Sequence, residues 1–330
     1  MHFRASDFGH RTLPLLLCLL TSASAERPAG DALRPGNYTR AIEVQNRDRT
    51  YLVHVPPSYD GAKPFPAVLA FHGGGTNAES MAQFSGLDEK ADTAGFIAVY
   101  PNGSGLLPRV LTWNAGNCCG YALKHQIDDV AFTRALLDDL VKAVQIDPRR
   151  IYATGMSNGA MMAYRLASEL SDRIAAIAAV GGPMGTETCN PRRPVPVIHF
   201  HGTADEFAPF HGGVGKKSLS KTHFYSVDDS IRAWVQANEC PSEAQTAELP
   251  DRADDGTKVS RRIYGPGKND AEVVLILIEG GGHTWPGRQP RITSLGVSTR
   301  DISANDLLWE FFEKHPLVFS GGNAETHFRR

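Results

Sequence analysis

Between residues 67 and 279 the sequence switches repeatedly between short apolar runs and longer stretches of helical spacing. This alternation restricts the fold more than any other feature. Ala67 to Phe71, Phe96 to Tyr100, Ile151 to Thr154, Ile174 to Val180, Val195 to Phe200 and Glu272 to Glu279 are short and almost continuously apolar. Strands of that kind have both faces covered, as in a parallel sheet. Between them, Glu79 to Ala94, Ile127 to Val144, Ala160 to Leu170 and Asp228 to Glu239 carry helical periodicity. In the second of these, Ile127, Val130, Leu137, Leu140, Val141 and Val144 form one stripe, with Asp138, Asp139 and Lys142 off it. The alternation predicts an α/β fold with a mostly parallel central sheet and helices on both faces. Ahead of it, Thr39 to Gln45 and Thr50 to Val55 flank Asn46-Arg47-Asp48 and predict an N-terminal antiparallel hairpin. A strand over Arg261 to Tyr264 and a helix over Ala304 to Lys314 complete the expectation.

The first residues follow a different rule. Arg4 and Arg11 precede the apolar run Thr12 to Leu20, and Ala23-Ser24-Ala25 then offers the small residues that a signal peptidase reads. The run is too short for a membrane-spanning helix. Residues 1–25 are therefore expected to be a cleaved secretory signal, residues 26–319 one catalytic domain, and residues 320–330 a flexible tail, with no stable membrane insertion. The formal net charge is −2 and no basic block occurs, so no nucleic-acid partner is expected. Removal of the signal leaves Cys118, Cys119, Cys189 and Cys240. In an exported protein four cysteines suggest disulfides, with three pairings open. Adjacent cysteines do not easily bond each other, so Cys118 and Cys119 are each expected to find a distant partner or stay free. No CxxC pair or matching histidine spacing supports a metal site.

Gly155-Met156-Ser157-Asn158-Gly159 is a G-x-S-x-G pattern set between a strand and a helix. On such a turn the backbone is strained, flanking glycines let neighbouring chain pass, and the serine hydroxyl is lifted to a helix N-terminus. The pattern in this setting predicts the nucleophile turn of an α/β-hydrolase fold. A nucleophilic serine needs a base and the base an orienting carboxylate, which in this fold follow in the order Ser, Asp or Glu, His. Asp205 lies just past the strand Val195 to Phe200, with Glu206 as its competitor. His283 follows Gly280-Gly281-Gly282 after the strand Glu272 to Glu279, whereas His201 at a strand end is expected to be a packed histidine. For the oxyanion the expected donors are the N–H groups of Asn158 and of Gly74, with Gly75 the near alternative, in the H-G-G-G-type segment His72 to Gly75. Trp113, with Tyr121 in the same long connection Pro101 to Lys124, and Trp285 next to His283 are each candidates for a substrate pocket or for packing. This chemistry requires no metal or organic cofactor.

These segments together resemble the polyhydroxybutyrate depolymerase and feruloyl esterase family of secreted α/β-hydrolases. The resemblance runs through Phe71 to Gly75, Thr112-Trp113-Asn114 with Cys118-Cys119-Gly120, Asp128-Asp129-Val130, Gly155 to Gly159, His201 to Asp205 and Gly281 to Gly287. It implies a carboxylic ester hydrolase with Ser157, Asp205 and His283 as its triad. Members often carry a cysteine after the position of Tyr264, where this sequence has Gly265-Pro266-Gly267-Lys268, so the pairing of Cys240 stays open. Enzymes of the family that erode solid polyester usually add a binding domain on a linker, and no such linker is seen. Soluble esters are therefore expected: hydroxyalkanoate oligomers, or aryl and acetyl esters on plant polysaccharide. Two other classes compete. A serine peptidase on this fold would usually add a large domain over the site, and a secreted binding protein would have lost a triad member.

Overall fold

The computed structural model describes residues 32–290 and 292–318; the expected signal (1–25) and tail (320–330) lie outside the described residues. The chain opens with the hairpin of β1 (Gly36–Val44) and β2 (Arg47–Val55). Its turn is tighter than expected: only Gln45 and Asn46 connect the strands, both at positive φ (53° and 56°). Two successive left-handed residues match the right-handed twist of the strands they join. Then come β3 (Phe65–Phe71), α1 (Ala78–Ser85), α2 (Leu87–Ala94) and β4 (Ile97–Pro101). The single helix expected over Glu79 to Ala94 is broken at Gly86 (φ 61°, ψ 31°), whose N–H caps α1 by donating to the carbonyl of Ala82.

The long connection after β4 is itself ordered, folding into β5 (Ser104–Leu107), β6 (Val110–Thr112) and α3 (Gly120–Lys124) before α4 (Asp129–Ala143). The chain continues through β7 (Ile146–Met156), α5 (Asn158–Glu169), β8 (Ile177–Val180) and β9 (Val197–Gly202). A two-residue ladder of β10 (Gly213–Val214) and β11 (His223–Phe224) precedes α6 (Val227–Ala237). The last elements are β12 (Gln245–Glu248), β13 (Lys258–Tyr264), β14 (Val273–Glu279) and α7 (Ala304–Lys314).

Ten strands form the main sheet in the order β1-β2-β4-β3-β7-β8-β9-β14-β13-β12. From β4 to β14 every neighbouring pair is parallel; the outer strands on both sides are antiparallel. The two-residue period of a strand divides the core into two layers. Ala67, Leu69 and Phe71 of β3 pack with Leu137 and Leu140 of α4, Leu166 of α5 and Trp234 of α6. Val68 and Ala70 pack on the opposite face with Met81 of α1, Leu87 of α2 and Phe312 of α7. This is the α/β-hydrolase fold, and it brings the C-terminal ends of β3, β7, β8, β9 and β14 to one edge, where ligands bind in open parallel sheets.

Candidate active site

Ser157 joins β7 to α5 with φ 56° and ψ −119°. A residue with a Cβ rarely occupies that region, and it persists only where the surroundings hold it. Here the Ser157 N–H donates to the Val180 carbonyl (2.8 Å), and the Ser157 carbonyl accepts from Met161 N–H (3.0 Å). Gly159 and Gly155 lie against the backbone of Phe71 and of each other so closely that a Cβ at either would overlap main-chain atoms. In the stretch 151–160, Ser157 alone is not fully buried. The glycines thus let β3 close against the turn, and the turn lifts the hydroxyl out of the core.

Asp205 is 5% exposed and uses both carboxylate oxygens. Oδ1 accepts from Phe207 N–H (2.8 Å) and Ala208 N–H (2.9 Å), and Oδ2 accepts from His283 Nδ1–H (2.6 Å). Burial opposes ionisation of this carboxyl, yet the His283 bond and charge outweigh it, and its pKa lies below the ordinary carboxylate value. The competitor Glu206 instead pairs at the surface with Lys217 Nζ (2.6 Å). The imidazole of His283 stacks on Phe207 (centroids 5.0 Å apart, planes at 23°). Gly181 follows β8, where a Cβ would press on the His283 ring, and a Cβ on Gly182 would overlap the Ser157 carbonyl, so one short segment borders both residues.

The His72 to Thr76 loop covers the Ser157 turn, with Gly73 beside Ser157 Cβ and Gly74 beside Asn158 Cβ. The Gly73 carbonyl accepts from His72 Nδ1–H (2.8 Å), Thr76 Oγ1–H (2.8 Å) and Thr76 N–H (3.3 Å). In a trans peptide the N–H points opposite to the C=O. The same plane therefore turns the Gly74 N–H away from these donors. Gly74 is exposed, whereas the Gly75 N–H is already committed to the Leu111 carbonyl (2.8 Å). Asn158 begins α5, so its amide lies in the first turn, which has no intrahelical acceptor.

Both tryptophans are buried. Trp113 is 0% exposed, donates Nε1–H to the His72 carbonyl (3.0 Å) and packs edge-on against Phe71. Trp285 is 1% exposed and donates Nε1–H to Asn305 Oδ1 (2.9 Å). Both were candidates for a substrate pocket; both are packing residues that fix the loops around the site. The side chain of Asn158 has a use the sequence did not suggest: its Oδ1 accepts from Trp113 N–H (2.8 Å) and its Nδ2–H donates to the Trp113 carbonyl (3.1 Å). Next to it, Asn114 N–H donates to the buried Asp129 (2.8 Å), which also meets Arg49 at 2.8 Å. The Asp128-Asp129-Val130 segment thus anchors the loop that carries Trp113. The expectation for Cys118 and Cys119 is corrected. The structure pairs them with each other across a cis peptide, with Cα atoms 3.1 Å apart, and leaves Cys189 and Cys240 free.

Three histidines beneath the site are buried: His72, His199 and His201. Burial pushes the pKa of His72 down to about 4, against the rise from its bond to Gly73, and lowers those of His199 and His201. The unfolded chain takes up these protons near pH 6.5, before the folded one does. Their contribution to stability is therefore complete above about pH 6.5 and is lost as the pH falls through the folded values. For His72 alone the loss between pH 6.5 and 4 is about 3 kcal/mol. Denaturant midpoints measured at pH 7 and pH 4.5 are expected to fall steeply. Equal midpoints would mean that the folded protein accepts these protons freely.

With this geometry in view, the model of the esterase PHB depolymerase family matches residues 49–219. NocK of Nocardia uniformis subsp. tsuyamanensis, a protein named as an esterase, is 32% identical over 299 residues, covering 86% of this chain and 84% of that one. Feruloyl esterase B of Piromyces equi is 30% identical over 244 residues; 71% of this chain is covered, but only 42% of the larger relative. Among solved structures, an acetyl xylan esterase from Aspergillus awamori superposes with a TM-score of 0.53 at 15% identity, over 84% of this chain and 99% of that one, a likeness of fold. The chain is a carboxylic ester hydrolase and belongs to the esterase PHB depolymerase family.

Proposed function

We propose that this esterase works through an acyl-enzyme on Ser157. His283 takes the hydroxyl proton as Ser157 attacks the ester carbonyl, and Asp205 holds the imidazole with its proton on Nδ1. The amides of Asn158 and Gly74 bind the oxyanion, which collapses with transfer of the proton from His283 to the leaving alcohol. Water, deprotonated by His283, then releases the acid. The observation that carries this reading is the 2.6 Å bond between His283 and Asp205, made beside the Gly181-Gly182 segment that also borders Ser157. Soluble esters of plant polysaccharide, aryl or acetyl, are the proposed substrates ahead of hydroxyalkanoate oligomers, a preference supported by the feruloyl esterase named among the relatives. Export is proposed from the character of residues 1–25.

The test compares the protein starting at Glu26 with its Ser157→Ala variant on p-nitrophenyl acetate, p-nitrophenyl butyrate, methyl ferulate and a peptide amide. Turnover of the esters by the parent alone is expected, with the amide untouched. Equal rates for the two proteins would remove Ser157 from the mechanism. Cleavage of the amide at a rate comparable with the esters would make the protein a peptidase.

A further inference from the structure

Beneath Asp205 a line of hydrogen bonds crosses the core. His201 Nε2 lies 2.8 Å from the Ala208 carbonyl, His201 Nδ1 is 3.0 Å from His199 Nε2, and His199 Nδ1 is 2.8 Å from the Tyr164 hydroxyl. All three side chains are at most 1% exposed. The two imidazoles lie parallel, with centroids 5.2 Å apart and planes at 3°.

The direction of every bond follows from one end. A carbonyl only accepts, so the neutral His201 must carry its proton on Nε2. Its Nδ1 is then an acceptor, which places the His199 proton on Nε2 and makes the Tyr164 hydroxyl the donor to His199 Nδ1. No other arrangement satisfies all the atoms with both rings neutral, the state that burial favours. The outcome matters at Asp205, because the same His201 Nε2–H lies 3.5 Å from Asp205 Oδ2. In the opposite tautomer a lone pair would face both that carboxylate and the Ala208 carbonyl. The other ionisable groups acting on His201 are His199 and His283.

The line also joins two parts of the site. Tyr164 lies two turns along α5, the helix that Ser157 opens, while His199 and His201 stand on β9, which leads into the Asp205 turn. Ala208, whose carbonyl ends the line, also donates its N–H to Asp205 Oδ1. Apolar side chains would fill this core without two imidazoles and a hydroxyl to satisfy. We propose that Tyr164, His199 and His201 are positioning residues, a buried brace that sets the Asp205 turn relative to the helix of the nucleophile. The proposal rests on the reading of Asp205 as the partner of His283.

The experiment uses the protein starting at Glu26 with p-nitrophenyl acetate, assayed well below each variant's melting temperature, with Ser157→Ala alongside. Tyr164→Phe and His201→Leu are expected to lower kcat roughly tenfold and a hundredfold, with KM within about twofold of the parent, as misplacement of a catalytic group does. His201→Gln keeps a donor near the Nε2 position and is expected to recover kcat to within about threefold of the parent. In the unaltered protein, two-bond ¹H–¹⁵N spectra at about pH 7.5 are expected to show both His199 and His201 neutral and protonated on Nε2. A His201→Leu variant with parental kcat, or a glutamine variant as slow as the leucine one, overturns the brace. If the leucine variant does not fold, the spectra decide: a neutral His201 protonated on Nδ1 overturns it equally. Turnover by Ser157→Ala would instead overturn the mechanism on which the brace depends.

Discussion

An Asp205→Asn variant is expected to fold and bind ester as the parent does, and to turn it over about ten-thousandfold more slowly. The loss follows from which way the new amide must point. Oδ1 of Asp205 accepts two backbone N–H groups, from Phe207 and Ala208. An asparagine keeps those bonds only with its oxygen in that position, which places its NH₂ where Oδ2 now meets His283 Nδ1. A donor would then face Nδ1, so Nδ1 must accept and the imidazole proton must move to Nε2. A His283 protonated on Nε2 cannot take the proton of Ser157. Nearly the same atoms remain and only the tautomer changes, so the loss belongs in kcat and not in KM. The measurement is steady-state hydrolysis of p-nitrophenyl acetate at pH 7 with unfolding monitored in parallel. A folded variant retaining more than about a hundredth of parental kcat would mean that Asp205 does not direct this imidazole.

What could be read from the sequence divides along a physical line. Backbone demands leave a trace in residue type: a turn needing bare backbone on either side shows as Gly155 and Gly159, and a doubly covered strand as the run Ala67 to Phe71. The strand ends that carry Ser157, Asp205 and His283 were therefore legible, and so was α7, whose bounds match the expected Ala304 to Lys314. Gly86 was visible, but a glycine inside a helical pattern reads equally as a tolerated residue or as a cap. The edge strand β12 was not legible, since Gln245 to Glu248 are all exposed and carry no apolar alternation. Least legible were the side-chain partners. Nothing in a histidine or tryptophan says whether it meets a ligand or a carbonyl from far along the chain. Trp113 bonds to the His72 carbonyl, the Asn158 amide grips Trp113, and Tyr164 reaches His199 because α5 packs on β7 and β8, next to β9. The adjacent cysteines belong with these, because residue type does not say which partner a thiol finds.

A double variant, His72→Leu with Thr76→Val, is expected to lower kcat about 10²–10³-fold while leaving KM close to the parent. That is the usual cost of one oxyanion donor. His72 is not placed to touch substrate: it is 0% exposed, with its Nε2 accepting from Gly103 N–H (3.0 Å). The common target of His72 and Thr76 is the Gly73 carbonyl, at 2.8 Å from each side-chain donor, and without them only the longer bond from Thr76 N–H (3.3 Å) remains. In the proposed mechanism, holding that oxygen down is what turns the next N–H, that of Gly74, toward the oxyanion. Gly73 and Gly74 have no side chains to resist rotation of the peptide plane, so the aim depends on these bonds. Because two side chains grip one oxygen, either single variant leaves the plane partly held, and the double loss is expected to exceed the product of the single losses. His72→Leu also leaves the Gly103 N–H without its acceptor, a stability cost of about 1–3 kcal/mol, so each protein is assayed well below its melting temperature. A boronic acid that forms a tetrahedral adduct with serine separates the possibilities. If the Gly74 amide has lost its aim, adduct affinity falls in parallel with kcat. If kcat falls while adduct affinity stays parental, the loop acts on something other than the oxyanion, and Gly74 is not the donor.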